Sequence, residues 1–419
     1  MDEKRDVPMK ERIVVTGLGL VTPLGVGKDE FYQRLLSGDG GISGLEAFNA
    51  DNVASHLGAE VRNFRPRDFI STKNLRRMDK ISSLATAAAR MALEDAGIVV
   101  GRENRDRVGI LLGTAFGATD VTVQVAGTLL SQGPSSVNPI LVPNTVMNAP
   151  AAHASIELGF RGVNTTVTQY AVSAETAIAY ALSEIKRGVA DVLLTGGVDI
   201  LSKFYYEALS RFRGLSPDDG GREGARPFDQ ERNGYVAGEG CGILCLESLA
   251  SARERGANIY CEISGAGLCS SAETPTGWPE DSQGVRQALR RVLQQAGISI
   301  TDVTAIMAAA NGGRLLDLAE ARAYEEAFAS CEQKPFVTSI KGAIGESFSG
   351  GGIRACSLAL SVQNKCLPPT VGLSDPLMPL NFVMEKKKEV VIKNAVLAGV
   401  SFGGTYAYLV FSACGDMRG

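Results

Sequence analysis

No cysteine precedes Cys241 in this 419-residue chain, and no histidine follows His153. A thiolate nucleophile is therefore excluded from the first 240 residues, and an imidazole base or metal ligand from everything after residue 153. The eight cysteines sit singly in segments such as GCGILCLE, RACSLAL and FSAC, which reads as reduced, buried thiols. Cys241 and Cys245 share a CxxxC spacing, but on a strand-like run with no histidine near it, so no metal is expected. A surplus of one charge is lacking too. The net charge is −4 with acids and bases interleaved, and the missing basic stripe argues against nucleic acid. No uncharged apolar run reaches the roughly 18 residues of a membrane span. The opening MDEKRDVPMK is charged and has no apolar secretory core, so the expectation is a cytoplasmic protein.

What is present is a unit written twice. ERIVVTGLGLVTP (11–23) is echoed by ANIYCEISGAGLCSS (257–271), with Gly17 and Gly19 matching Gly265 and Gly267. Two amphipathic segments follow, 80–98 and 281–299, both ending in Ala-Gly-Ile, the glycine suiting a helix stop. Each precedes a buried-strand run (108–117 and 303–313), and each half closes on another (191–199 and 394–404). Continuous apolar strands alternating with helices predict two sheets, each covered by helices, in a layered α/β protein with a pseudo-two-fold axis. The halves divide at 1–254 and 255–419. GLGLVT is not a dinucleotide fingerprint: Thr22 stands for its third glycine and no acidic residue closes the next strand. The repeated glycines instead predict tight packing between the halves.

Several motifs in the right order resemble the β-ketoacyl synthase family of the thiolase fold over about residues 11–413. They are VVTGLGLVTPLG, RPFDQERNGYVAGEGCGILCLE (226–247), KGAIGESFSGGG (341–352) and FGGT (402–405). The resemblance implies a thiolase-like layered αβαβα fold. It also implies a cysteine at a strand-to-helix corner, two histidines from the second half and an oxyanion hole of two backbone N–H groups. Here the corner lies in NTTVTQYAVSAETA. Counting back without gaps from Arg187-Gly188 puts Ala171 at the cysteine position, and a one-residue shift puts Tyr170 there. The first histidine falls on Ala309 ungapped, or on Asn311 with a small gap; the second falls on Glu346. Lys341 and Phe402 keep the family's residue types, Phe402 at its gating position. Glu346 is expected to form a buried ion pair with Lys341.

This profile is similar to the chain-length factor, or ketosynthase β-subunit, of bacterial type II polyketide synthases. That likeness implies a catalytically inactive subunit paired with an active ketosynthase α-subunit and serving an acyl carrier protein. It implies no cofactor of its own, the substrates riding on the carrier's phosphopantetheine. The corner departs from that branch, which usually has Gln there; Gln169 is two residues early. Tunnel-lining positions carry over to Thr119, Thr122 and Ala126, all small or medium, which suggests a less blocked chain tunnel. The β-branched VNTTVT (163–168) reads as an edge strand that pairs with the partner. Arg226, Asp229, Arg232 and Glu239 are expected to hold a loop over the site by charge pairing. Two other readings stay open. One is a malonyl-carrier-protein decarboxylase or acyltransferase using the N–H groups of Ala171 and Phe402; the other is a homodimeric acyl-binding scaffold.

Overall fold

One strand order occurs twice in the computed structural model, which describes residues 11–415 except Gly221 and Thr276. The charged N-terminal decapeptide lies outside the described residues. The first half supplies β1 (Ile13–Thr22), β2 (Val108–Gly113), β3 (Asn164–Val167), β4 (Val192–Asp199) and β5 (Gly240–Ser248). The second supplies β6 (Cys261–Ser270), β7 (Val303–Met307), β8 (Phe336–Thr338), β9 (Asn381–Phe382), β10 (Asn394–Ser401) and β11 (Thr405–Ser412). The first half runs β3-β2-β4-β5-β1, with β2 parallel to β3 and β4, and β5 antiparallel to β4 and β1. The second runs β8-β7-β10-β11-β6 with the same pattern of directions, and β9 extends its outer edge.

Two expectations need correction. The halves are not hydrogen-bonded as separate sheets. Val14 and Val15 pair with Glu262 and Cys261, so β1 and β6 join both halves into one path of 12 strands, counting Gly25–Val26 beside β1. This seam is only two residues long. Strand twist rotates β1 and β6 apart beyond it, which leaves room for helices between the halves.

The helices are α1 (Lys80–Ala96), α2 (Thr119–Gln132), α3 (Ala149–Leu158), α4 (Ser173–Lys186), α5 (Lys203–Arg211), α6 (Gln283–Ala296), α7 (Arg314–Ala327) and α8 (Gly351–Asn364). Both α4 and α8 pack against strands of both halves and form the central layer. Outside them α1 covers β1, β4 and β5, while α6 covers β6 and β11 and carries α7. The result is the α-β-α-β-α layering of the thiolase fold.

The repeated Ala-Gly-Ile ends do what their sequence promises. Gly97 and Gly297 cap α1 and α6 in the left-handed conformation, at φ 67° and 70°. The paired strand glycines act elsewhere than expected. A Cβ on Gly19 would lie 1.8 Å from the Ala88 carbonyl oxygen of α1, and one on Gly265 would lie 2.8 Å from Ala296 Cβ of α6. They bring each strand onto the outer helix of its own half, not one half onto the other.

Cys241 and Cys245 lie buried on β5 in an apolar cluster, and burial pushes both thiols up, as befits inert core residues. Among the described residues no His/Cys/Asp/Glu cluster could hold a metal, and no helix is long and apolar enough to cross a membrane.

Candidate active site

The strand β3 is the exposed edge of the first half, and the chain turns from it into the central helix α4 through one 3-10 turn, Tyr170–Val172. Local hydrogen bonds shape the corner. The Gln169 N–H donates to Ser173 Oγ, which donates to the Tyr170 carbonyl, and Thr176 Oγ1 donates to the Gln169 side chain at 3.0 Å. Tyr170 sits at φ 46°, an uncommon region for a bulky side chain. The turn separates the two candidate registers. Ala171 points inward at 2% exposure, whereas Tyr170 is 52% exposed. The Ala171 N–H is already engaged, donating to Ser401 Oγ at 3.2 Å. One of the two N–H groups assigned to an oxyanion hole is therefore satisfied within the protein.

Aromatic rings close over this turn. Tyr170 meets Phe116 at 6.4 Å and Phe402 at 6.1 Å between ring centroids, both edge-on. Phe348 meets the same two rings at 5.0 and 5.8 Å. Trp278 lies 4.2 Å from Phe402, and Tyr205 stacks on Phe116 at 3.9 Å. Each such pair adds about 0.5–1.5 kcal/mol beyond the area it buries. The cavity between Phe116, Tyr205, Glu346 and Phe348 measures about 20 Å³. That is room for about one water molecule. The cavity lies beside the corner and is not lined by Ala171 or Tyr170.

The corresponding turn of the second half, between β8 and α8, holds charge. Lys341 Nζ lies 2.5 Å from Glu346 Oε2, so the expected ion pair is present, with both side chains almost wholly buried. Asn311 Nδ2 donates to the same oxygen at 2.8 Å, and the Phe348 N–H donates to Glu346 Oε1 at 2.9 Å. Of the two candidates for the first histidine loop, Asn311 thus reaches Glu346. Ala309 is buried in the apolar cluster under α6 and α7, and its N–H donates to Glu320. Beside this group Arg354 of α8 is paired with Glu175 of α4 and donates to the carbonyls of Ala308 and Ala398. Burial pulls the Lys341 ammonium down, against the pull of Glu346, and pushes the Glu175 carboxyl up, against Arg354. Lys341 with Glu346 and Arg354 with Glu175 thus form two adjoining buried pairs.

The sequence reading missed Glu175 and Arg354. Helical spacing held a clue, since Ile178, Ala179 and Leu182, on the face of Glu175, are all buried. The loop held by Arg226, Asp229, Arg232 and Glu239 is not tied by their mutual pairing. Asp229 accepts from the backbone of Ser374 and Asp375, Glu239 from Val61, Leu201 and Lys80, and both arginines donate to carbonyls. Backbone donors satisfy much of what these acids need, and Lys80 adds the one long side chain, to Glu239. Asp317 also gathers the N–H groups of Phe228, Asn311 and Gly312, and burial pushes its carboxyl up to about 7. On α2, Thr119 is buried and donates to the Phe116 carbonyl, while Thr122 and Ala126 share the exposed face one turn apart.

The sequence matches the beta-ketoacyl synthase N-terminal domain over residues 10–252 and the C-terminal domain over residues 260–374. It is 32% identical over 407 residues to the 3-oxoacyl-[acyl-carrier-protein] synthase 2 of Synechocystis sp., covering 96% of this chain and 98% of that protein. Among solved structures, one described as the ishigamide ketosynthase/chain length factor superposes with a TM-score of 0.88 at 29% identity, over 97% of this chain and 100% of that one. A type II PKS acyl-carrier protein in complex with its ketosynthase contains a chain with the same fold (TM-score 0.86, 24% identity, covering 97% and 100%). Together with the doubled topology and the two turns that face each other across the central helices, these matches establish that the chain belongs to the beta-ketoacyl synthase family.

Proposed function

We propose that this chain is a catalytically inactive, chain-length factor-like subunit that pairs with an active ketosynthase and shapes the cavity in which a polyketide or polyene chain grows on an acyl carrier protein. The observation that carries this reading is the occupancy of the reactive positions. Ala171 stands at the corner, and Asn311 and Glu346 stand in the loops where histidines would act. Removing a whole nucleophile–base set leaves only the residual catalysis of binding and oxyanion stabilisation. Ser401 already engages one of those two N–H groups. The likeness to a ketosynthase/chain length factor supports the branch, while the curated relative bears a synthase's name.

The need for a partner rests on surface chemistry. From Thr119 to Ile156 the sequence holds one charged residue, Asp120. Of the 14 residues of α2 only Thr119 and Val121 are buried. Val123, Leu130, Ile140, Val146, Met147 and Ile156 are all exposed in the lone chain, beside the open edge of β3. Soluble proteins seldom leave so large an apolar face and an unpaired edge uncovered. A related subunit with a matching edge strand fits both.

The test is co-expression with a ketosynthase, followed by native mass and malonyl turnover. The reading expects a one-to-one complex and no turnover by this chain alone. A stable homodimer that decarboxylates malonyl-carrier protein would overturn it in favour of an enzyme; a stable homodimer without turnover would favour a scaffold. Within the complex, Ala126→Phe is expected to shorten the product by filling the exposed face of α2, read by mass spectrometry of released chains.

A further inference from the structure

The position that would carry the nucleophile is buried, with Ala171 at 2% exposure. Tyr170, the residue immediately before it, is held in the left-handed region with its ring edge-on to Phe116 and Phe402. Phe348 meets both of those rings, at 5.0 and 5.8 Å. Ser401 sits directly before Phe402 and spends its hydroxyl on the Ala171 N–H at 3.2 Å. A bulky residue at φ 46° persists where its surroundings over-determine it, and the rings on both sides of Tyr170 do so. Loss of a cysteine alone would leave a pocket lined by apolar residues and an unpaired N–H. Here Ala171 is buried at 2% exposure and its N–H is bonded to Ser401.

We infer that Tyr170 and Ser401 form a two-part seal that shuts this chain's own pocket to acyl thioesters. Tyr170 blocks entry of the acyl and pantetheine carbons, and Ser401 takes the hydrogen-bond donor a thioester carbonyl would need. A growing chain then has no second destination in this subunit, and any thioester that the assembly handles is confined to other sites. The inference rests on position 171 being the corner's inward residue, and it stands whether or not a ketosynthase partner is found.

The experiment uses the full chain, in the assembly in which it purifies, carrying Ala171→Cys alone or combined with Tyr170→Gly. Glycine accepts the local φ without strain. The probe is iodoacetamide: the introduced thiolate forms a carbon–sulfur bond, iodide leaves, and the thiol proton goes to solvent. Peptide-resolved mass spectrometry reads the rate at position 171 beside the native cysteines. The buried Cys356 reports that each variant is folded, and the partly exposed Cys269 reports that the reagent is active.

The seal predicts that Ala171→Cys alone is alkylated at least about 10-fold more slowly than Ala171→Cys/Tyr170→Gly. Ala171→Cys/Tyr170→Phe, which keeps the ring, should react as slowly as the single variant. If Cys356 becomes reactive in the glycine variant, Tyr170→Asn replaces it, since asparagine also tolerates the left-handed region. Equal rates with and without the Tyr170 ring overturn the inference. Adding Ser401→Gly should raise transfer of an octanoyl group from its N-acetylcysteamine thioester to the introduced thiol, with N-acetylcysteamine released; no change on that addition removes Ser401 from the seal.

Discussion

The turn after β3 and the turn after β8 occupy the same place in the doubled topology, yet they are filled with opposite chemistry. Six aromatic rings cluster at the first, Tyr170 from the turn itself and Phe348 reaching over from the second; the second also carries the Lys341–Glu346 pair beside Arg354 and Glu175. Their depth explains the difference. The first turn follows an edge strand and opens onto exposed surface, so apolar rings both fill it and exclude water. The second lies inside, where the buried Lys341 ammonium needs a counter-charge and Glu346 supplies it. A vacated polar position in a dry interior is tolerable only if its neighbours' charges are still answered.

The largest effect that tests this contrast is Glu346→Ala, which leaves Lys341 buried and unpaired and takes an acceptor from Asn311. Denaturant unfolding should show a loss of about 3–5 kcal/mol. Changing both partners, Lys341→Met with Glu346→Leu, should recover most of that loss; a double variant as unstable as the single one would show that the pair's charge is not what matters there.

Next in size is a pH slope from the same half. Burial holds the Asp317 carboxyl near 7, above its unfolded value of 3.8, so the folded state binds the proton more tightly. Stability from this group is full below about pH 4 and is lost as pH rises through about 7, at no more than about 1.4 kcal/mol per pH unit. Asp317→Asn should flatten that slope while lowering the acid plateau. Asp199, near 6 for the same reason, borders the first turn through the N–H groups of Ala115, Phe116 and Ser349, and Asp199→Asn should flatten a slope that ends about one pH unit lower.

The smallest expected effect lies at the aromatic turn. Tyr170→Gly loses two ring contacts of about 0.5–1.5 kcal/mol each but relieves a left-handed strain of about 1–2 kcal/mol. Thermal unfolding should therefore move little. A shift as large as that of Glu346→Ala would mean that both turns are equally structural.

The doubled unit was legible because glycine spacing, helix ends and apolar runs are local signals that recur in order. The lack of cysteine before Cys241 and of histidine after His153 was legible directly in the sequence. The refilling was not. Tyr170, Phe116, Tyr205, Trp278, Phe348 and Phe402 come from separate segments, and nothing in the sequence spacing of any one announces the others. The choice between Ala309 and Asn311 also needed geometry, because a gap of two residues changes which side chain faces Glu346. The paired sheets were misjudged at one point only, where two residues of β1 and β6 meet.

The Ser401 hydroxyl on the Ala171 N–H and the tyrosine beside it have a historical meaning as well as a chemical one. A cysteine placed at 171 would have the Tyr170 ring beside it and its own N–H already bonded to Ser401. Reversion through single changes therefore crosses intermediates that gain nothing, each step awaiting the others. A thiol at 171 would need changes at Tyr170 and Ser401 as well before it could meet a thioester.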